Sequence, residues 1–316
     1  MSLKNLLRPT LLLLAAMIWG FAFVAQDAAS AVPSFALGFI RSIFAFVFLL
    51  MVIPVSDFLT KNRRKLISKN GIDFKCEELV GGAITGVVLA VASALQQIGI
   101  SLGTDGGKAG FITALYVVLV PIYSIILKKK TRLHIWISII IATIGFFLLC
   151  ITEQLTIAPS DLAVMGGAMI FPIHILAIDY YSPKCDGIRM SAIQFLTCAL
   201  INLILSLVFE TPLDTSGIYP HLGSLIYLGI MSSGVAYTLQ IIGQKNVNPT
   251  VASIILSLES VFAVIGTALI LGQTLTPREY FGCALVLFAV ILSQLDFGKN
   301  EKSEDSSYNE SPASNK

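Results

Sequence analysis

The feature that most constrains this chain is a series of long apolar segments that carry almost no charge. Only 13% of its 316 residues are charged and 55% are hydrophobic, whereas roughly 25% are charged in an ordinary soluble domain. About 20 apolar residues span the hydrocarbon core of a bilayer as a helix. We therefore predict an all-α polytopic membrane protein with ten transmembrane helices, at residues 9–27, 33–55, 79–102, 108–127, 133–151, 160–179, 188–209, 221–243, 249–271 and 278–295.

The distribution of lysine and arginine predicts the orientation of these helices. Ten crossings put both termini on one side, and loops rich in lysine and arginine remain on the cytoplasmic side of a membrane. If the N-terminus is cytoplasmic, then of the 21 lysines and arginines only Lys108 and Arg278 lie outside, while Arg41 lies within the membrane. We therefore expect both termini to be cytoplasmic and the protein to lie in the plasma (inner) membrane of the cell.

The N-terminal segment "LLRPTLLLLAAMIWGFAFVAQDAASA" also has features of a cleavable signal peptide. It has a basic start, an apolar stretch and an end of small residues. Its apolar stretch exceeds the roughly 7 to 15 residues that are usual in a signal peptide, and cleavage would remove a helix that the internal repeat requires. We expect the segment to be retained as the first helix.

Short sequence matches indicate an internal repeat. The segment "AMIWG" in the first helix matches "AMIFP" in the sixth, "FIRSIF" in the second corresponds to "AIQFL" in the seventh, and "LQQIG" in the third matches "LQIIG" in the eighth. We assign residues 9–151 to a first five-helix repeat and residues 152–296 to a second. Residues 1–8 form a cytoplasmic N-terminus in this scheme, and residues 297–316 form a disordered cytoplasmic tail.

A repeat unit of five helices crosses the membrane an odd number of times, so the second copy enters it in the opposite direction. The predicted architecture is therefore a 5+5 inverted repeat. Such repeats place a substrate site near the midplane between the two halves and open it to either side by rocking.

The motifs "AAMIWGFAFVAQ", "GFIRSIFAF", "AGFITALYVVLVPIYSIIL" and "SIILSLESVFAVIGTALILGQTLTPREYFGCALVLFAVIL" resemble the drug/metabolite transporter superfamily, and within it the ten-helix EamA-type group. This resemblance covers about residues 9–296 and implies a transporter of small metabolites such as amino acids, nucleosides or drugs. Two positions depart from the family pattern. Ser260 stands where many relatives have proline after "SLE", and Gln273 stands where many have glutamate, which weakens a mechanism with a proton carrier at that end.

Two charged residues interrupt the apolar helices, Arg41 in the second and Glu259 in the ninth. A charge at bilayer depth costs about 2.5 to 3.5 kcal/mol on insertion scales, so each should face protein or water and have a partner. One interpretation is that Arg41 and Glu259 line the central cavity, either paired or each facing substrate. The other is that Arg41 is a structural tether, held by backbone carbonyls and by hydroxyls such as that of Ser42.

Other polar and aromatic residues in the helices are further candidates for the cavity wall, each with a structural alternative. The amides can bind a solute or join helices, the tyrosines can supply cavity hydroxyls, and the tryptophan and phenylalanine can form a stacking wall. The histidine follows a proline that is expected to kink its helix, so it can carry a proton or simply pack there. These candidates are Trp19, Phe23, Gln96, Gln97, Tyr116, His174, Tyr237 and Gln240.

The sequence lacks the motifs of several enzyme classes, including HExxH, GxSxG and the phosphate-binding loop,. The three histidines are far apart, and the five cysteines form no CxxC pair. We therefore expect no catalytic residues, no metal site, no cofactor and no disulfide. The expected partners are a small-molecule substrate and the lipid bilayer, without nucleic acid, and a homodimer is left open.

These observations predict a secondary transporter that works by alternating access through a central cavity. A channel-like facilitator and a non-transporting membrane receptor or scaffold remain as alternatives. The substrate, the direction of transport and its coupling to protons are left open.

Overall fold

A computed structural model describes residues 3–60, 67–68, 71–72, 74–128, 132–150, 158–212, 214–271 and 276–295. The predicted tail at residues 297–316 and Gln273 lie outside these residues. The described chain is almost entirely helical. Its helices are α1 (Leu3–Ala28), α2 (Ser34–Leu59), α3 (Cys76–Ser101), α4 (Gly106–Ala114), α5 (Tyr116–Ile126), α6 (Leu133–Cys150), α7 (Pro159–Tyr181), α8 (Gly187–Phe209), α9 (Leu222–Ile226), the π-helix π1 (Tyr227–Ala236), α10 (Tyr237–Gln244), α11 (Pro249–Leu256), α12 (Glu259–Leu271) and α13 (Pro277–Gln294).

Eight spans in the described part of the chain are long and apolar enough to cross a membrane. Three of them are built from consecutive helices: α4 with α5, α9 with π1 and α10, and α11 with α12. The predicted fifth helix corresponds to a shorter apolar helix at Leu133–Leu149, and the predicted tenth corresponds to α13, which packs against α6. The membrane-spanning character of the chain is confirmed, whereas the count of ten crossings stays a prediction.

The linker between α2 and α3 departs from the predicted all-α architecture. It contains two short antiparallel strands, β1 (Ile67–Ser68) and β2 (Gly71–Ile72), in which Ile67 pairs with Ile72. The linker is polar and lacks a helical apolar stripe, so nothing in its sequence favours a helix there. The hairpin is an addition to a helical fold and forms no separate domain.

Two spans that the sequence predicts as continuous helices are broken near their middle. The first break lies at Leu115, where the backbone N–H groups of Leu115 and Val118 bond three residues back instead of four. Pro121 lies in the following helix, α5, where it lacks the N–H that would bond to the Val117 carbonyl,. The second break, at residues 257–258, has the same tightened bonding pattern at Leu258 and Ser260.

Glycines permit the close contact between α3 and α8. A Cβ added at Gly82 would lie 2.6 Å from Cβ of Ile193, and one added at Gly86 would lie 2.6 Å from the carbonyl oxygen of Gln194. The Cys198 thiol donates to the Gly86 carbonyl at 3.1 Å. The GxxxG pattern therefore serves to bring α3 against a helix more than 100 residues later in the chain.

A buried ion pair joins α2 and α8 at one end of the bundle. Both terminal nitrogens of Arg189 donate to the Asp57 carboxylate, at 3.0 and 2.7 Å, and Arg189 is only 1% exposed. Asp186 caps α8 and lies 3.8 Å from Arg189. Glu78 accepts from the Asp186 backbone and ties α3 to the same cluster.

Two further carboxylates fasten helices at the opposite end. Glu210, just after α8, accepts from the first backbone amides of α2, Phe35 and Ala36, at 2.7 and 2.9 Å. The backbone N–H groups at the start of a helix have no partner within the helix, and they bind anions favourably. Asp161 on α7 accepts from the Lys108 ammonium at 2.5 Å and from the Thr104 hydroxyl at 2.9 Å. The pair α2/α8 is therefore held at both ends, and α4 is held to α7 at one.

The Arg189–Asp57 pair leads to a stability prediction. Replacing Arg189 by Gln removes both charge-assisted hydrogen bonds to the buried Asp57 carboxylate, which should lower the free energy of unfolding by about 3 to 5 kcal/mol. The double variant Asp57→Leu/Arg189→Met should recover part of the loss, and Arg278→Gln, at an exposed arginine, should have little effect. Melting temperatures in detergent measure all three. An Arg189→Gln protein as stable as the parent would contradict this assignment.

Candidate functional site

A polar cavity lies in the interior of the helix bundle, with a partly open mouth. It encloses about 540 Å³ of empty space, a figure that includes the open mouth. Seven of the eight described spans contribute to its wall, all except α8. The lining residues are Trp19, Ala22, Phe23, Gln26, Arg41, Ser93, Gln96, Thr113, Tyr116, Phe171, His174, Ile175, Ser232, Tyr237, Gln240, Leu256 and Glu259.

The structure brings nine of the ten sequence-predicted site residues to this cavity and leaves one out. The nine are Trp19, Phe23, Arg41, Gln96, Tyr116, His174, Tyr237, Gln240 and Glu259. Gln97 does not line it. Gln97 lies about three helical turns after Gly86, on the stripe of α3 that faces α8,, whereas Gln96 is rotated by about 100° toward the cavity. Of the two neighbouring amides, the structure brings only Gln96 to the cavity wall.

Arg41 is held by three neutral side chains. Its Nε donates to Ser233 Oγ at 3.0 Å, Nη1 donates to Gln26 Oε1 at 3.1 Å, and Nη2 donates to Ser232 Oγ at 3.2 Å. The predicted hydroxyl partner, Ser42, makes none of these bonds. Within the described residues, no ion pair joins Arg41 to Glu259. The guanidinium is therefore anchored by hydrogen bonds, and of the two arrangements left open by the sequence, the structure does not have the direct pair with Glu259.

The π-helix explains how two consecutive serines reach the same guanidinium. Ser232 and Ser233 lie in π1, whose wider winding differs from that of an α-helix and is frequent at functional sites,. Gly229 and Gly234 flank them, and a Cβ added at either would meet Phe44 or Phe48 of α2 within 2.7 Å. The glycines let π1 approach α2 closely enough for both hydroxyls to accept from Arg41.

Glu259 begins α12 immediately after the second helix break. It is only 5% exposed, and its Oε1 has no hydrogen-bond partner among the described residues. Tyr116, which begins α5 immediately after the first break, faces the same carboxylate. The Tyr116 hydroxyl also lacks a partner that meets hydrogen-bond geometry. The two broken spans thus each present an unpaired polar group to the cavity.

Aromatic rings form a second part of the wall, centred on Tyr237. Its ring centroid lies 4.6 Å from that of Trp19, 5.7 Å from the His174 ring and 5.6 Å from the Phe195 ring. The Trp19 indole N–H donates to the Ser232 carbonyl at 3.0 Å, which links the aromatic cluster to the Arg41 site. His174 Nε2 lies 3.1 Å from Gln194 Oε1, so the histidine packs between α8 and the tyrosine while it lines the cavity.

The cavity amides are only partly satisfied. Gln96 Nε2 donates to the Thr113 hydroxyl at 2.8 Å and joins α3 to α4. Gln240 Nε2 lies 3.5 Å from Gln244 Oε1, and Gln244 in turn donates to the Ile175 carbonyl at 2.6 Å. Gln240 Oε1 has no partner among the described residues. The amides therefore join helices and leave the Gln240 acceptor unsatisfied.

Sequence reasoning missed several polar wall residues, among them Gln26, Ser93, Thr113 and Ser232. A usable signal existed for Gln26, since Trp19, Phe23 and Gln26 are spaced by four and three residues and share one helix face. The hydroxyls carried no such signal, because serine and threonine are common in membrane helices and bond their own backbone. Ser93, for example, also donates to the Leu89 carbonyl at 2.7 Å.

Within the described residues, no group of three histidine, cysteine, aspartate or glutamate side chains is arranged to hold a metal ion. Four cysteines there are free, namely Cys76, Cys185, Cys198 and Cys283. The polar groups of the cavity are instead one guanidinium, one carboxyl group, one imidazole, amides and hydroxyls. These groups can bind a small polar solute by charge and hydrogen bonds.

An all-helical protein with several apolar spans around a polar cavity belongs to the class of polytopic membrane proteins that handle small solutes. The chain belongs to the EamA-like transporter family, whose sequence profile matches it twice, at residues 9–151 and 158–295. The two matches agree with the predicted division into two repeats. Membership in this family makes the protein a membrane transporter.

Several named relatives are transporters as well. An "Uncharacterized transporter" of Archaeoglobus fulgidus is 29% identical over 300 residues, which cover 93% of this chain and 88% of the relative. The inner membrane transporter YedA of Escherichia coli strain K12 is 25% identical over 69% of this chain and 71% of its own length. A solved crystal structure at 16% identity superposes with a TM-score of 0.72 and covers 90% of this chain and 95% of that one, which supports the fold alone.

The absence of an ion pair at Glu259 among the described residues predicts how its substitution will behave. Because Glu259→Gln breaks no ion pair and keeps an oxygen toward Tyr116, it should change the free energy of unfolding by no more than about 0.5 kcal/mol. The effects of Arg41→Gln and Glu259→Gln on stability should add within about 0.5 kcal/mol, as expected for independent sites. Detergent melting curves of the two single variants and the double variant test this. Recovery of stability in the double variant would reveal a direct pair.

Gln96 lines the cavity and the neighbouring Gln97 does not. Substituting each in turn therefore tests whether the cavity is the path of the solute. Gln96→Met removes a cavity amide and its bond to Thr113, so it should reduce solute uptake. Gln97→Met removes two buried amide atoms that have no partner, so it should leave uptake intact and raise stability by up to about 1 kcal/mol. Uptake into proteoliposomes and melting temperature distinguish the two. Equal loss of uptake in both variants would contradict the assigned wall.

Proposed function

We propose that the protein is a secondary transporter of small metabolites that works by alternating access through this cavity. The observation that carries the proposal is that Arg41 and Glu259, two ionisable groups within the membrane, line one cavity and do not pair with each other. Buried charges of a purely structural kind are paired. Groups that line a solute pathway instead complete their bonding with the solute.

The two helix breaks give a structural reason for mobility. In transporters built from two repeats, broken helices at corresponding positions commonly supply the substrate site. Leu115 lies in the fourth span and residues 257–258 in the ninth, so the breaks occupy matching places in the two family repeats. Tyr116 and Glu259 follow the breaks directly. We infer that the repeats are inverted, with helices 1–5 related to helices 6–10 by an axis in the membrane plane.

The contacts at the two ends suggest which helices move. The pair α2/α8 is fastened at both ends, by Asp57 and Glu210, and is the natural axis for a rotation of the halves. Asp161 fastens α4 to α7 at one end only. We infer that this second contact opens when the cavity turns to the other side, and that both termini lie in the cytoplasm, with the protein in the plasma (inner) membrane.

Two other functions would use the same fold. A channel-like facilitator would move solute without a binding step that saturates, and a receptor or scaffold would move none. No residue of the cavity wall is assigned to a chemical reaction, and we propose that the protein is not an enzyme. Its partners in this proposal are a solute and the bilayer, without nucleic acid, and the choice between monomer and homodimer stays open.

Counterflow in proteoliposomes tests the carrier mechanism. Purified protein is reconstituted with an unlabelled metabolite mixture inside, and labelled solutes are added outside. A carrier gives saturable uptake that an internal solute accelerates, because the loaded carrier returns to the outer side. Uptake that never saturates and shows no acceleration would indicate a channel, and absence of uptake would indicate a receptor or scaffold.

A pair of cross-links tests the proposed movement. In a protein without its five native cysteines, Thr104→Cys/Asp161→Cys joins the two repeats, whereas Ser34→Cys/Ser101→Cys joins α2 to α3 within the first repeat. The native hydroxyls of Ser34 and Ser101 already lie 3.1 Å apart. Bridging the first pair with a short thiol reagent should abolish counterflow, and bridging the second should preserve it. Full activity with the repeats bridged would contradict the proposed opening.

A further inference from the structure

The cavity contains two sets of unsatisfied polar groups that differ in kind. One set consists of hydrogen-bond donors on Arg41. The other set consists of acceptors on Glu259 and Gln240, joined by the Tyr116 hydroxyl. Each of these four residues is at least nine-tenths buried, with exposures of 8%, 5%, 2% and 4% respectively. A solute that fills the cavity has to match both sets.

Arg41 retains two free donors after its structural bonds are counted. A guanidinium carries five N–H groups, and three of them donate to Ser233, Gln26 and Ser232. One N–H therefore remains on each terminal nitrogen, the number that a carboxylate takes up in a bidentate pair. The three structural bonds also fix the plane of the guanidinium in advance, so binding there requires little further ordering.

The charge of the wall favours a carboxylate over a phosphate. Arg41 is the one lysine or arginine among the lining residues, and Glu259 is the one acid. A phosphate group brings a charge of roughly −1.5 to −2 at pH 7, which Arg41 alone does not neutralise beside the Glu259 carboxyl. A carboxylate brings one charge and matches the planar fork.

The second set selects the other end of the solute. Gln240 Oε1 accepts hydrogen bonds only, and neither Gln240 Oε1 nor Glu259 Oε1 has a partner among the described residues. An ammonium or hydroxyl group supplies the donors that these oxygens lack. Between the two sets the wall is aromatic, with Trp19, Phe23 and Phe171.

From this arrangement we infer that the cavity binds a small carboxylate: its anionic group pairs with the two free N–H groups of Arg41, and a donor group elsewhere on the molecule bonds to Glu259, Gln240 and Tyr116. Transport of that solute rests on the proposed function, whereas its binding does not. Ser232, Ser233 and Gln26 act as positioning residues, because they hold the guanidinium and leave its remaining donors to the solute.

Binding to the purified protein is measured by the fluorescence of Trp19, in a Trp136→Phe background that leaves one tryptophan. The probes form two matched series with an aromatic or a branched side chain: phenylalanine, phenyllactate, phenylalaninamide and phenethylamine, and leucine, 2-hydroxyisocaproate, leucinamide and isoamylamine. We expect the amino or hydroxy acids to bind and the amides, the amines and inorganic phosphate not to bind. Binding of an amide or amine as tightly as its acid, preference for phosphate, or no binding by any acid would overturn the inference.

Substitution of Arg41 tests the same point from the protein side. Arg41→Lys keeps the charge and loses the planar fork, and Arg41→Gln loses both. Each should weaken binding of the acids roughly 10- to 100-fold, while the exposed Arg278→Gln should leave it unchanged. Unchanged affinity in folded Arg41 variants would overturn the inference. If these variants do not fold, the probe series on the parent protein decides.

The counterflow assay separates this inference from the proposed function. If acids bind and exchange, both stand. If acids bind but nothing crosses the membrane, the binding site stands and the carrier proposal fails. If solutes without a carboxylate exchange equally well and independently of Arg41, the carrier stands and the inferred solute class is wrong.

Discussion

The structure depends on the anchoring of one guanidinium in a region where water cannot satisfy it. At membrane depth an unbonded polar group costs several kcal/mol, so Arg41 has to find its partners in the protein. It finds them on α1 and π1, through Gln26, Ser232 and Ser233. These bonds gather three spans around the cavity, and the indole of Trp19 adds a further bond to the Ser232 carbonyl.

Two buried arginines in the same chain have opposite roles, and their partners explain the difference. Arg189 donates both terminal nitrogens to one carboxylate and lies at the end of the bundle, so its charge is neutralised within the protein. Arg41 bonds only neutral groups and faces empty space. A neutralised pair fastens helices, whereas in the function proposed above the charge of Arg41 is available to a solute. Burial alone does not separate these roles.

The broken spans connect the fold to a mechanism. A break leaves backbone and side-chain groups free of the regular helical pattern, which is tolerated in a membrane only beside a cavity or against protein. In this protein both breaks lie next to wall residues, Tyr116 and Glu259. The π-helix π1, in a third span, also contributes a wall residue, Ser232. The irregular backbone is thus concentrated where solute would bind, and the regular helices α2, α3 and α8 form the surrounding frame.

The sequence alone determined the membrane-spanning segments and most of the cavity wall. Apolar length identifies a span without reference to any neighbour, and a polar residue in an apolar helix must face protein, which explains why nine of ten candidates reached the cavity. Tertiary structure alone decided the partners. Arg41 bonds to Ser233, which lies 192 residues away in the chain. The glycines of α3 pack against α8, and Gln97 lies outside the cavity wall. Helical periodicity fixes the face on which a side chain lies, but which helix packs against that face depends on contacts between residues far apart in the chain.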